Sequence, residues 1–230
     1  MVDFYKDWYN NLIAHSNEKD LLVQKISDLL KGKTHESCLE IGLGTSAYFA
    51  SHLGSYFEDY QIVEKEEFND PLPSNVHIVH GDFETTEFDK QFDVILASHV
   101  VYYFRDLPGA VEKIASLLKK GGRAYFVVNG RESDYGPIKD AFAEFINKPY
   151  TFTYDILKNS LSSYSVREYT TQASLSFSSY EDLYETLRLS FDLYPKEYEE
   201  NRNNVIGWLK ESVKGDKFFI DQKIIEVAKL

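Results

Sequence analysis

Acidic residues and glycines follow three short apolar runs of this chain. Glu40 comes near the end of the first run, and Gly42 and Gly44 follow it with the freedom that a sharp turn and close ligand approach require. Glu64 and Asp82 follow the next two runs. A carboxylate at the end of a buried segment is costly without a partner, and a cationic or hydroxyl-rich ligand supplies one. These residues therefore predict a site for a polar small molecule.

A fourth apolar run ends at Ser98 and His99. Imidazole is a common general base, so His99 is a candidate to accept a proton from, or to position, a reacting group. The alternative is that His99 packs against a ligand or hydrogen-bonds it without moving protons. The sequence has no cysteine cluster, H-x-x-x-H pair or carboxylate array at ligand spacing, so no metal site is predicted.

A parallel sheet would bring these residues together. Helical periodicity over Asn17–Leu30 and Leu107–Lys120 alternates with apolar strand-like runs, which predicts βαβ units. The predicted strands lie at about 37–41, 60–63, 76–79, 92–97 and 123–128. We therefore expect an α/β fold with a Rossmann-like, doubly wound, mostly parallel sheet. Its ligand would bind beyond the carboxyl ends of the strands.

The chain changes character after Ser133. The segments Val166–Phe177 and Phe218–Val227 are β-like and are predicted to form an antiparallel pair at the edge of the sheet. Helices that could act as lid additions are predicted over 134–147, 153–161, 180–190 and 196–213. We expect one domain with additions, because no long linker or internal repeat is present.

The formal net charge of −12 argues against binding to nucleic acid or to an anionic membrane surface. It is compatible with a neutral or cationic small-molecule partner. Cys38 is the only cysteine and no apolar run approaches the roughly 18 residues of a membrane span, so we expect a cytoplasmic protein.

Two nucleoside cofactors fit the glycine turn. The run Gly42–Ala47 satisfies the G-x-G-x-x-A form of the dinucleotide fingerprint, so a nicotinamide cofactor remains open. Glu40 is a poor neighbour for a pyrophosphate and a good one for an ammonium group. Asp82 after the third strand suits an adenine amino group. Together these acids favour S-adenosyl-L-methionine.

At this point the chain resembles the class I S-adenosylmethionine-dependent methyltransferases over about residues 17–130. The resemblance rests on the segments Leu39–Ser46, Glu64–Lys65, Gly81–Phe83, Phe92–His99 and Leu117–Arg123. Ser46 stands where the family usually has glycine. The cofactor-binding residues that the resemblance implies are Glu40, Gly42, Gly44 and Thr45 at the methionine part, Glu64 at the ribose, Lys65, Gly81, Asp82 and Phe83 at the adenine, and Ser98 and His99 after the fourth strand.

The segment Ser98–Phe104 is similar to that of histamine N-methyltransferase and its small-molecule relatives, which have a glutamine where this chain has His99. The resemblance implies a cofactor-binding core over 37–130, an N-terminal helical lid over 1–31 and an acceptor pocket formed by 131–230. Aromatic residues outside the core strands are candidates for that pocket. For Tyr102 and Tyr103 core packing is an equal alternative. Tyr9, Phe191 and Tyr194 are expected to form a lid as a set, while packing is favoured for any single one of them. The predicted substrate-binding residues are Tyr9, Tyr102, Tyr103, Phe191 and Tyr194.

The expected activity is methyl transfer to an N or O nucleophile of a small molecule. Three alternatives remain at this point: a nicotinamide-dependent oxidoreductase, a non-catalytic partner subunit that binds the cofactor, and a methyltransferase that acts on a peptide or protein.

Overall fold

The computed structural model describes residues 5–32 and 35–229. Its strands are β1 (His35–Ile41), β2 (Phe57–Glu64), β3 (Val76–His80), β4 (Phe92–Ser98), β5 (Leu118–Ser133), β6 (Val166–Ser176) and β7 (Lys217–Ala228). They form one sheet in the order β3-β2-β1-β4-β5-β7-β6. The pairs β1–β2, β2–β3, β1–β4 and β4–β5 are parallel, and the edge strands are antiparallel. The predicted fold class is therefore confirmed.

The helices are α1 (Lys6–His15), α2 (Glu18–Leu30), α3 (Tyr48–Leu53), α4 (Leu107–Leu117), α5 (Tyr135–Phe145), α6 (Thr153–Ser160), α7 (Tyr180–Thr186), α8 (Pro195–Glu200) and α9 (Arg202–Ser212). Side-chain caps start two of them: the Asp106 carboxylate accepts from the Gly109 N–H before α4, and the Ser179 hydroxyl accepts from the Asp182 N–H before α7. Within the described ranges, no helix has the length and apolar character needed to cross a bilayer.

The chain leaves β1 in one direction to β2 and β3 and then returns to place β4 on the other side of β1. The edge between β1 and β4 is therefore the switch point of the doubly wound sheet, where ligands of such folds bind. The turns after β1, β2, β3 and β4 all follow carboxyl ends of parallel strands, so they meet at the same edge. These are the turns that carry the acids and glycines identified in the sequence.

Residue contacts divide the chain into two compact units. The first unit contains residues 22–128, 153–170 and 223–229, and apolar side chains cover both faces of its strands. Leu39 and Ile41 pack in one cluster, while Cys38, one position before Leu39 and so on the opposite face of the strand, packs in the other. Burial raises the pKa of the Cys38 thiol well above its usual value, so Cys38 is a protonated core residue.

The second unit contains residues 5–21, 129–152 and 171–222, and aromatic rings dominate its core. The Tyr198 ring stacks on Tyr184 and on Phe191, with ring centroids 4.5 and 4.4 Å apart. Phe142 meets both Phe191 and Tyr198 at steep angles. Such pairs contribute about 0.5–1.5 kcal/mol each beyond the area they bury, so this cluster is a main source of the unit's stability.

The predicted helix over Leu107–Lys120 is too long. Helix α4 ends at Leu117, and the fully buried Leu118 starts β5 by pairing with Phe92. The register then shifts before Arg123 pairs with Val94. The spacing of Leu117 and Leu118 fits a helix, but Leu118 pairs with Phe92 in the sheet instead, because this tertiary contact outweighs local helix propensity.

The predicted helices over 180–190 and 196–213 are each divided. Helix α7 ends at Thr186 and continues as a 3₁₀ helix over Leu187–Phe191. The second prediction covers α8 and α9, which Asn201 separates. The Asn201 amide donates to the Glu197 carbonyl at 3.0 Å, and this side-chain bond competes with the helical pattern. Helix α1, which the periodicity did not predict, precedes α2.

Candidate functional site

The turn after β1 requires its glycines. Gly42 and Gly44 have φ angles of 76° and 68°, in the left-handed region that side chains other than glycine rarely adopt. The Gly42 N–H donates to the Val63 carbonyl at 2.9 Å, which extends the β1–β2 ladder into the turn. A Cβ on Gly42 would lie 3.0 Å from Cγ2 of Val100. The turn therefore forms a cradle that only glycine leaves open.

Glu64, the last residue of β2, is bound to this turn. Its buried carboxylate accepts from the Leu43 N–H at 2.7 Å through Oε2 and from the Glu66 N–H at 2.9 Å through Oε1. A carboxylate has about four acceptor positions, so each oxygen retains capacity for a hydroxyl donor. Glu64 therefore fixes the turn and presents negative charge beside it.

Glu40 is only 2% exposed and lies inside β1. The Tyr60 hydroxyl donates to its Oε2 at 2.8 Å. Burial and the negative charge of Glu40 raise the pKa of Tyr60 well above its usual value, so the phenol stays protonated and remains a donor. This bond holds a second acid at the carboxyl end of β1, two residues before Gly42.

The turn after β3 joins the same edge. The Gly81 N–H donates to the Glu64 carbonyl at 2.9 Å, which places Asp82 directly after this junction. One Asp82 oxygen accepts from the Glu84 N–H and the other from the Arg105 guanidinium, each at 2.9 Å. Sequence reasoning missed Arg105, because nothing in its local pattern links it to Asp82, 23 residues earlier.

Phe83 is packed by its ring and held by its carbonyl. The buried ring lies 5.7 Å from that of Phe104. The Lys113 ammonium donates to the carbonyl of Phe83 at 2.7 Å and to that of Thr86 at 2.6 Å. Both the ring and the carbonyl of Phe83 are therefore engaged within the protein. Sequence reasoning also missed the role of Lys113 on α4. Its position among the apolar residues of an amphipathic helix was the one signal that it contacts other elements.

After β4, the backbone turns at His99. The His99 N–H donates to the Val127 carbonyl at 3.0 Å, one residue beyond Ser98 at the strand end. The φ angle of 51° at His99 is rare for a residue with a side chain and marks a constrained position. Its Nδ1 lies 3.4 Å from the Tyr102 hydroxyl, and the two rings are nearly parallel. Tyr103 meets Tyr102 edge-on.

The first unit therefore brings together Glu40, Gly42, Glu64 and Gly81 through backbone pairing and hydrogen bonds. Half-buried Thr45 and exposed Gly44 continue the turn after Gly42, while Lys65 is exposed directly after Glu64. Asp82, Ser98 and His99 follow the strands that flank β1 and β2. In the described ranges, no group of three or more His, Cys, Asp or Glu residues is arranged to hold a metal ion.

Three predicted substrate residues lie in the second unit. Tyr9 is half-buried on α1, with the Lys19 ammonium 5.3 Å from its ring centroid. Tyr194 is half-buried, and the Lys148 ammonium lies 5.0 Å from its ring centroid. The Phe191 ring is buried in the aromatic core described above. The substrate-binding roles of these residues stay predictions.

The strand order and the acid-lined glycine turn define a doubly wound, Rossmann-like protein of the kind that binds nucleosides. A family model described as "Methyltransferase domain" matches residues 14–173. The chain therefore belongs to the methyltransferase domain family.

The relatives agree with this assignment. A malonyl-[acyl-carrier protein] O-methyltransferase of Magnetococcus marinus is 32% identical over 137 residues, which is 55% of this chain and 50% of that protein. The chain thus spans about half the length of that curated relative.

Two solved structures share the fold. One is a SAM-dependent methyltransferase of Thermotoga maritima, described as a possible histamine N-methyltransferase, with a TM-score of 0.55, 16% identity and coverage of 98% of this chain and 94% of that one. The other is N-methyltransferase NodS of Bradyrhizobium japonicum in complex with S-adenosyl-L-homocysteine, with a TM-score of 0.51, 14% identity and coverage of 92% and 86%. The fold is thus that of SAM-dependent methyltransferases.

Proposed function

We propose that this protein transfers a methyl group from S-adenosyl-L-methionine to an N or O nucleophile of a small molecule. Membership of the methyltransferase domain family supports the reaction class, and a structural relative crystallised with S-adenosyl-L-homocysteine supports the methyl donor. The observation that carries the proposal is the 2.7 Å hydrogen bond from the Leu43 N–H to the Glu64 carboxylate.

That bond, together with Glu40, favours one of the two nucleoside cofactors. A dinucleotide fold directs turn N–H groups and a helix N-terminus at a pyrophosphate. Here Glu64 already takes the Leu43 N–H, and a second buried acid, Glu40, lies two residues before the turn. Glu64 suits the ribose hydroxyls of either cofactor, but Glu40 would repel a pyrophosphate and favours a ligand with an ammonium group. The turn is therefore suited to the methyl donor.

The residues present fit that donor. Gly42 leaves the cradle open, Glu40 supplies negative charge near the amino acid part, and Glu64 has acceptor positions for ribose hydroxyls. Asp82 would accept from the adenine amino group. When bound, the donor supplies an electrophilic methyl group on a positively charged sulfur, which keeps the bonding electron pair after transfer.

His99 would serve the acceptor. A nucleophile that carries a proton at neutral pH must lose it as the new bond to carbon forms, and an imidazole can take it. The Tyr102 hydroxyl, 3.4 Å from Nδ1, would hold the ring and set which nitrogen is protonated. The Tyr102 hydroxyl would therefore help to orient the His99 ring for proton transfer.

Replacing His99 tests that role. Asparagine tolerates the positive φ of this position but cannot act as a base. If His99 is the base, His99→Asn should reduce turnover roughly 100-fold or more while S-adenosyl-L-homocysteine affinity stays near wild type. The control is His52→Ala, since His52 is exposed on α3. Retained turnover in His99→Asn would leave His99 a packing or binding role.

Replacing Asp82 tests the adenine contact. Asp82→Ala should weaken S-adenosyl-L-homocysteine binding at least tenfold, about 1.4 kcal/mol, as expected for one hydrogen bond to a charged group. Arg105→Ala is the matched control, because it removes the ion pair with Asp82 but leaves the carboxylate. Calorimetry should show near wild-type affinity for Arg105→Ala. Unchanged affinity in Asp82→Ala would remove this residue from the site.

The acceptor class needs a separate experiment. The relative from Magnetococcus marinus is named for an acyl-carrier-protein substrate, so a protein-borne acceptor is the specific competitor to a free small molecule. We would incubate the enzyme with methyl-labelled S-adenosyl-L-methionine and a cell extract, then follow the label by mass spectrometry. We expect label in the small-molecule fraction. Label only in protein would favour the competitor, and no transfer despite donor binding would indicate a non-catalytic subunit.

A further inference from the structure

A buried lysine in the second unit has no part in the methyl-donor site. Lys139 on α5 is 2% exposed, and its neighbours Ile138 and Phe142 are core residues of the same helix. Lysine is almost never fully buried unless its ammonium is paired. Its burial in an aromatic core therefore calls for a physical explanation.

Aromatic rings surround the Lys139 ammonium. Its nitrogen lies 4.1 Å from the ring centroid of Phe191, 4.8 Å from that of Tyr150 and 5.3 Å from that of Tyr135. These cation–π contacts favour the charged form, but they are weaker than the cost of removing an ammonium from water. The rings therefore compensate the buried charge only in part.

No anion in the described part of the chain bonds the Lys139 ammonium directly. Across residues 5–32 and 35–229, the Lys139 nitrogen makes neither a hydrogen bond nor an ion pair. Asp192 acts on it through its charge and raises the pKa of Lys139, but burial is the larger effect and lowers it to about 7. The ammonium thus keeps hydrogen-bonding capacity that no acceptor in the described residues uses.

Polar side chains act on the hydroxyls of two of these rings. The side chains of Asn129 and Ser190 act on the Tyr135 hydroxyl through hydrogen bonding, and that hydroxyl in turn acts on Tyr150. Burial raises the pKa of Tyr135 to about 12, so its hydroxyl stays protonated and can donate. Tyr150 is half-buried in the segment between α5 and α6. We call Lys139, Tyr135, Tyr150 and Phe191 the Lys139 site.

We infer that the Lys139 site binds the carboxylate of a small-molecule ligand, a monocarboxylic acid with an apolar or aromatic body. The ammonium and the Tyr135 hydroxyl would donate to the carboxylate oxygens, and the rings would pack against the body. One cation with Asp192 nearby suits a single negative charge better than a phosphate dianion.

The test compares benzoate with the neutral isostere benzamide, by calorimetry on the full chain. Wild type should bind benzoate at least tenfold more tightly than benzamide, and Lys139→Met should lose that preference. Lys148→Met is the matched control, because Lys148 also lies over a tyrosine ring but is exposed. Equal binding of the two probes by wild type, absence of benzoate binding, or unchanged benzoate affinity in Lys139→Met would overturn the inference.

A second readout covers the case in which Lys139→Met does not fold. In wild-type protein labelled with ¹³C at the lysine ε-carbons, saturating benzoate should raise the pKa of Lys139 by at least one unit. An unchanged Lys139 titration would contradict the inference. S-adenosyl-L-homocysteine binding is measured in parallel. If S-adenosyl-L-homocysteine binds and benzoate does not, the inference about the Lys139 site is wrong and the proposed function stands. If benzoate binds and S-adenosyl-L-homocysteine does not, the proposed function is wrong and the Lys139 site stands as a carboxylate site.

Discussion

Glu64→Ala is expected to weaken S-adenosyl-L-homocysteine binding at least 100-fold, about 2.7 kcal/mol. The loss has two sources. The variant removes the acceptor positions proposed for the ribose hydroxyls, and hydrogen bonds to charged groups contribute about 1.5–3 kcal/mol each. It also leaves the Leu43 N–H without the carboxylate that holds the glycine turn. Calorimetry with purified variants measures the effect.

Two further variants separate these sources. Glu64→Gln keeps an oxygen for the Leu43 N–H but removes the charge, so it should lose less affinity than Glu64→Ala. Glu66→Ala is the control, because Glu66 is exposed and bonds Glu64 through its backbone N–H. It should bind like wild type. A Glu64→Ala protein that folds and retains wild-type affinity would place the ribose elsewhere.

Lys139→Met is expected to stabilise the protein at pH 7 by about 1–4 kcal/mol, the range seen when buried charges are replaced by apolar residues of similar size. Methionine fills a similar volume and packs against the surrounding rings. Chemical denaturation at constant pH measures the change in the free energy of unfolding. Lys148→Met, at an exposed position, is expected to change it by less than about 0.5 kcal/mol.

The stabilisation should depend on pH in a defined direction. The pKa of Lys139 is lowered from 10.5 to about 7 in the folded protein. Between these values the unfolded chain binds more protons than the folded chain, so the wild-type free energy of unfolding rises with pH. The full destabilisation by Lys139 is present below pH 7 and is lost as pH rises toward 10.5.

The difference in the free energy of unfolding between Lys139→Met and wild type should therefore shrink by roughly 1 kcal/mol per pH unit between about pH 7 and 9. Unfolding curves for both proteins at pH 6, 7, 8 and 9 test this. A constant difference across that range would show that Lys139 stays charged in the folded protein, and a less stable variant at every pH would show that its ammonium is fully compensated.

Much of the proposed methyl-donor site was predictable because it follows from strand ends. A parallel sheet places the residues after β1, β2 and β3 at one edge whatever the details of packing. Glu40, Gly42, Glu64 and Asp82 could thus be grouped from their positions after apolar runs. The antiparallel edge pair was likewise readable from β-like segments in the second half of the chain.

Side chains that act across distant elements could not be predicted in this way. Arg105 reaches Asp82, and Lys113 reaches the carbonyls after β3, from positions more than 20 residues away in sequence. Lys139 lies on a helix whose periodicity gives no sign that aromatic residues more than ten positions away enclose its ammonium. The spacing of residues in the sequence indicates local structure, but contacts between residues far apart in the chain depend on how the elements pack together.

We propose that the acid-lined glycine turn holds the methyl donor. The most direct measurement is calorimetric titration of the wild-type protein with S-adenosyl-L-homocysteine and, separately, with NAD. We predict binding of S-adenosyl-L-homocysteine with a micromolar dissociation constant and no detectable binding of NAD. Micromolar binding of NAD without binding of S-adenosyl-L-homocysteine would contradict the account.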